Sequence, residues 1–157
     1  VALIMKERDC FVMLTNFEKV KEFHQRFNVP IRETPSFPSV EIMSDRSRKI
    51  EEELDEFREE MAKIIFEGIP EDEEEQRKLL AFIIGEAIDV IYTFYGLGVS
   101  CGVNMDDVFA AIHRANMTKT LEGDKIKKGA KFTPANIQRV IFDKIVQSKS
   151  PWAKEVV

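Results

Sequence analysis

Apolar residues recur at helical spacing in five runs along this chain, with turn-forming residues between the runs. Thr15-Asn-Phe-Glu18 has the form of a capping box, and Phe17, Val20, His24 and Phe27 follow on one face, which predicts a first helix over 16–28. Residues 28–39 hold Pro30, Pro35 and Pro38 and read as an extended connector. A long second helix is expected over 40–67, with Met43, Ile50, Leu54, Phe57, Met61, Ile64 and Ile65 as its stripe and Gly68 as its stop. A third starts near Asp72, where the acidic run 71–75 suits the positive end of a helix, and continues to Val99 or Cys101. Asn104 caps a fourth helix through Lys119, with Val108, Ala111, Ile112 and Ala115 inward. Residues 121–132 predict a loop or short hairpin. Thr133-Pro134 then opens a last helix to Gln147, with Ile137, Val140, Ile141 and Ile145 as its stripe. The expected fold is all-α: one domain with its core over 16–147, a helical bundle around two long central antiparallel helices.

The segment 79–103 is the most apolar of the chain, and its only charged side chains are Glu86 and Asp89. It is long enough to cross a bilayer, but two carboxylates near its centre cost about 3 kcal/mol each on insertion. A deeply buried helix of a soluble protein is therefore expected, with no membrane partner. Its opposite face, Ile84, Ile88, Ile91 and Tyr95, is also apolar and must be covered too. A symmetric second copy would supply that cover, so a homodimer or higher homo-oligomer is expected.

The net charge of −5 argues against a general polyanion binder, so nucleic acid is not an expected partner. Cys10 and Cys101 form no CxxC or repeated spacing, which fits a reducing, cytoplasmic setting. The apolar stretch 1–5 is followed by Lys6-Glu7-Arg8-Asp9 and lacks the layout of a signal peptide.

At 100° per residue, Leu79, Ile83, Glu86, Val90 and Leu97 share one face of the third helix, with Asp89 flanking it, so Glu86 is expected to point into the core. On the second helix Glu53 flanks the apolar stripe and Glu56 lies three residues on. If the two helices pack antiparallel, two i,i+3 carboxylate pairs converge. Four carboxylates in a low-dielectric site require a cation, and Mg²⁺ is the natural hard ion, with Mn²⁺ as an alternative.

The order E-E-x-x-E at Glu52-Glu53-Leu-Asp-Glu56, then E-x-x-D at Glu86-Ala-Ile-Asp89, resembles the all-α NTP pyrophosphatases. These include MazG-like proteins, dimeric dUTPases and phosphoribosyl-ATP pyrophosphohydrolases. Arg46, Tyr92, the stretch NMTK at 116–119, Gly123-Asp124 and KGAKFTP at 128–134 are similar to the branch related to the dimeric dUTPases. The resemblance implies that Glu53, Glu56, Glu86 and Asp89 hold Mg²⁺ and that Glu52 acts as the base toward water at the α-phosphorus of a nucleoside triphosphate. Lys119, Lys128 and Lys131 are then the candidates for the leaving pyrophosphate. Gly129-Ala-Lys131 stands where the family often reads G-K-x-x-K, which leaves the phosphate lysine open among them. Asn116 suits a base edge or ribose hydroxyl. Tyr92 would wall the sugar, and His24 either packs in the core or touches the ligand. A dUTP-like substrate is expected. Hydrolysis of phosphoribosyl-ATP, or a helical module that only binds a partner protein, are the alternatives.

Overall fold

The computed structural model describes residues 13–143, and all positions below lie within them. Five helices and one hairpin follow in the order α1 (Asn16–Arg26), α2 (Val40–Glu67), α3 (Glu73–Cys101), α4 (Met105–Asn116), β1 (Thr120–Glu122), β2 (Lys125–Lys127) and α5 (Ile137–Phe142). The fold is all-α, as the periodicity predicts.

The capping box at the start of α1 is complete: Thr15 Oγ1 accepts from Glu18 N at 3.2 Å, and Glu18 Oε2 accepts from Thr15 N at 2.8 Å. The helix ends earlier than expected, because Asn28 turns into the left-handed region at φ 54°. Ser39 caps α2, which stops at Gly68 as expected. Asp72 caps α3 by accepting from Glu74 N and Glu75 N, each at 3.0 Å. Gly102 closes α3 at φ 69°, where a Cβ would stand 2.5 Å from Thr34 O, so both backbone angle and space require glycine. Residues 121–132 resolve as the hairpin, pairing Leu121 with Ile126 around Gly123 at φ 64°. Thr133-Pro134 does not open α5. Thr133 N instead donates to Thr118 Oγ1 at 2.8 Å, tying the loop to the end of α4, and Asn136 caps the helix. Gln147 and Ile145 lie outside the described residues.

α2 and α3 form the central pair, and α1 packs on α3. Asp106, at the start of α4, joins three elements: its Oδ1 accepts from Tyr95 Oη at 2.7 Å and its Oδ2 from Phe17 N at 3.1 Å. Burial and this bond push the Tyr95 hydroxyl up to about 12. The enclosed core is small: Val20, Ile83, Val99, Ala111, Ala115, Val140 and His24 are buried, and no residue of α2 is.

The expectation of a deeply buried third helix is therefore corrected. α3 remains long and apolar enough to span a bilayer, yet only Ile83, Gly96, Gly98, Val99 and Ser100 along it are buried. Ile84, Ile88 and Ile91 stay about half exposed, at 54, 53 and 47%. The physical reason is a shortage of layers: α2 packs along one face of α3, α1 and the start of α4 cover another near its C-terminal end, and among the described residues no further element covers Ile84, Ile88 and Ile91. Ile65, Phe27 and Ile112, expected on inward stripes, are likewise exposed. Tyr95 belongs to the covered side.

Candidate active site

α2 and α3 share one seam. Arg46 lies beside Gly96, Glu53 is within electrostatic reach of Asp89 and Glu86, and Ile64 lines the same cleft as Leu79. Positions rise along one helix as they fall along the other, so the pair is antiparallel, and this register sets the Glu53/Glu56 pair opposite the Glu86/Asp89 pair.

Burial first, then the charges of Glu56, Asp89 and Glu86, push the Glu53 carboxyl above the usual carboxylate range, with Lys49 acting the other way. Glu53 thus feels the carboxylates of α3. Glu53 and Glu86 are half-buried, whereas Glu56 and Asp89 are exposed. Glu86 faces the seam and not a closed core, because the helices leave that level open to water.

Among the described residues no three of these carboxylates close on a common point at ligating distance. Like charges take the rotamers that separate them. The helix register expected from the sequence is present, while closure of the side chains is not. The donor set, hard oxygens that repel one another around a half-buried glutamate, fits a hard divalent ion such as Mg²⁺.

Glu52 lies elsewhere in this balance. Its carboxylate accepts from Lys49 Nζ at 2.7 Å and from Arg48 Nη1 at 2.8 Å, and these bonds hold its acidity below the usual range. It is ionised at neutral pH, with its oxygens occupied by cations of its own helix.

His24 is 2% exposed and lies buried with its Nε2 toward Gly96. Its Nδ1 lies 3.1 Å from Pro30 O, and burial is the largest cause that lowers its pKa, with Arg46 adding to it. Tyr92, half-buried, meets Phe23 edge-on with centroids 5.7 Å apart. Burial, then the charge of Glu22, raises its pKa. Phe23 and Gly96 were not singled out by the sequence. Phe23 stands off the apolar stripe of α1, and a glycine inside a helix carries no chemical signal.

The remaining candidates lie on α4 and in the segment that follows it. α4 meets α3 at its N-terminal end, and Asn116 stands at its other end, about 16 Å along the helix. Asn116, Lys128 and Lys131 are exposed and Lys119 is half-buried; Lys128 Nζ sits 5.2 Å over the Phe132 ring. Among the described residues no hydrogen bond or ion pair joins these four to the seam carboxylates.

The all-α fold and a matching family model together indicate a pyrophosphohydrolase of the MazG-like superfamily that acts on nucleotides. The chain belongs to the phosphoribosyl-ATP pyrophosphohydrolase family, whose model matches residues 20–116. That match begins within α1 and ends with the last residue of α4, so Lys119, Lys128 and Lys131 lie beyond it. No curated protein matches the chain.

One consequence concerns stability without metal. A raised folded-state pKa means that folded Glu53 holds its proton more tightly than the unfolded chain does, so the metal-free protein loses stability as pH rises through and just above the carboxylate range. Glu86→Ala removes one of the repelling charges. It should raise the metal-free melting temperature by about 1–3 °C at neutral pH and abolish the stabilisation given by millimolar Mg²⁺. A clear drop in the metal-free melting temperature would show that Glu86 is held in a structural ion pair.

Proposed function

We propose that the chain hydrolyses a deoxynucleoside triphosphate, with dUTP the preferred substrate, to the monophosphate and pyrophosphate. The observation that carries this reading is the repulsion felt by Glu53 from Glu56, Asp89 and Glu86 across the α2–α3 seam. Those four residues would hold Mg²⁺ or Mn²⁺. The ion would supply a lowered water pKa and would neutralise charge on the transferring phosphoryl group. Glu52, released from Lys49 or Arg48, would orient the attacking water. Tyr92 lies one turn from Asp89 and would wall the sugar.

A homodimer belongs to the same reading. It is supported by the uncovered face of Ile84, Ile88 and Ile91. A second copy laid on α3 would cover the face and could bring its own Asn116, Lys119, Lys128 and Lys131 to the phosphates and sugar. A cytoplasmic setting is supported by two cysteines without a pairing pattern.

Phosphoribosyl-ATP is the second reading of the substrate, and the description of the matched family favours it. The dUTP reading rests on the likeness of 116–119 and 128–134 to the branch related to the dimeric dUTPases. Pyrophosphate release from dUTP, UTP, dCTP, dTTP and phosphoribosyl-ATP separates them. dUTP should exceed UTP in kcat/KM by about ten- to hundredfold, since a 2′-hydroxyl desolvated without a partner costs about 1–3 kcal/mol. Equal turnover of UTP and dUTP would point to a broad house-cleaning enzyme, and turnover of phosphoribosyl-ATP alone would establish the second reading.

A further inference from the structure

Two turns along the seam from the carboxylates lies a polar cluster with unmet hydrogen-bonding capacity. Arg46 is seven residues before Glu53 on α2, and Gly96 is seven after Asp89 on α3, so both fall on the seam face about 10 Å from the acidic level. A Cβ on Gly96 would stand 3.1 Å from Arg46 Nη1 and 3.3 Å from His24 Nε2. A larger residue there would push on both groups, so the glycine lets them sit close to the α3 backbone. Arg46 Nε is buried and has no hydrogen-bond partner, and no carboxylate pairs with the guanidinium among the described residues. Leaving such a donor unmet costs about 1–3 kcal/mol, which an incoming acceptor recovers.

His24 complements it. Pro30 O, a carbonyl, can only accept, so the Nδ1 contact at 3.1 Å fixes the proton on Nδ1 and leaves Nε2 as an acceptor. Burial and the adjacent guanidinium oppose a second proton. The cluster therefore offers guanidinium donors beside one imidazole acceptor. Between it and the carboxylates stand Tyr92 and the edge-on ring of Phe23, which is 42% exposed. Aromatic walls suit a sugar and base better than a polyphosphate, and the distance matches the reach of a nucleoside from its 5′-phosphate to the far edge of its base.

We propose that Arg46 and His24, seated over Gly96, read the edge of the nucleobase: a ring carbonyl accepts from Arg46 and the neighbouring ring N–H donates to His24 Nε2. This rests on the nucleotide hydrolase reading above and names its specificity residues. Uracil and thymine present that carbonyl beside an N–H. Cytosine presents an amino donor to Arg46 and a bare ring nitrogen to His24, so both contacts become mismatched and two buried groups stay unsatisfied.

The experiment measures binding of deoxyuridine and deoxycytidine, free of phosphate and metal, by chemical-shift titration, alongside kcat/KM for dUTP and dCTP. The wild type should favour the uracil member of each pair by at least about tenfold. Arg46→Gln, and Arg46→Lys as the variant that keeps the charge, should bring both ratios within about threefold, while the Mg²⁺-induced melting shift and helical circular dichroism stay as in the wild type. A wild type that hydrolyses dUTP and dCTP alike would overturn the base-reading proposal and leave the hydrolase reading standing. So would variants that lose both substrates in equal proportion, since that pattern marks a group binding phosphate or holding the fold. Selective binding of deoxyuridine by a protein that cleaves no nucleotide would uphold the base-reading cluster and remove the hydrolase reading.

Discussion

Glu53→Gln and Asp89→Asn should each lower metal-dependent pyrophosphate release by at least about a hundredfold with helical circular dichroism unchanged. Each exchange keeps the shape of the side chain and removes one ligand charge. A bound divalent ion contributes several kcal/mol of charge stabilisation to phosphoryl transfer, and losing even about 3 kcal/mol corresponds to roughly a hundredfold in rate. The two positions are chosen because they lie on different helices and because Asp89 ranks next to Glu56 among the charges that perturb Glu53. If both serve one ion, the double variant should be little worse than either single one, since residues that act as a unit are not additive. Near-normal turnover by either variant would sink the metal assignment. The metal-free protein offers an independent readout: each variant removes a repelling charge, so its melting temperature in chelator should rise slightly while the Mg²⁺-induced shift disappears.

The helices were legible in the sequence wherever a local chemical signal set them. The capping box at Thr15-Glu18, the stop of α2 at Gly68 and the Asn104 cap of α4 all depend on neighbours within a few residues. Where the signal was ambiguous, tertiary contact decided. Thr133-Pro134 has the look of a helix start, but Thr118 Oγ1 captures the Thr133 amide and the helix waits for Asn136. The carboxylate pairs were legible because i,i+3 spacing survives any packing, and the antiparallel register then sets them opposite one another. Closure of their side chains was not legible, because it depends on a cation that the sequence only implies. Glu52 shows a similar limit. The resemblance to the all-α NTP pyrophosphatases implies a base there, yet Arg48 and Lys49, four and three residues earlier on the same helix, bond its oxygens. Phe23 and Gly96 escaped notice because their part is visible only once α1 lies on α3.

The uncovered face of α3 leads to the second large effect. If the wild type forms the proposed dimer, Ile88→Glu should convert it to a monomer in sedimentation or light scattering, and activity should fall with it. Leu80, Ile84, Ile88 and Ile91 form one exposed row along the helix, and Ile88 lies within it at 53% exposure. A contiguous apolar patch of this kind marks an interface more often than a free surface. In a helix pair packed through that row, a glutamate at 88 would be desolvated with no cation to meet it. Such an unpaired buried charge costs about 3–5 kcal/mol, which raises a dissociation constant by roughly two to four orders of magnitude. In the isolated chain the same side chain would reach water freely, so the helical content of the monomer should survive. Lys78→Glu, exposed near the start of α3, is the matched charge control and should leave the assembly intact. Loss of activity in the monomer would further indicate that residues from the second copy complete the site. A wild type that is monomeric at micromolar concentration and fully active would remove both the dimer and the shared site, and would leave the exposed isoleucines without an occupant.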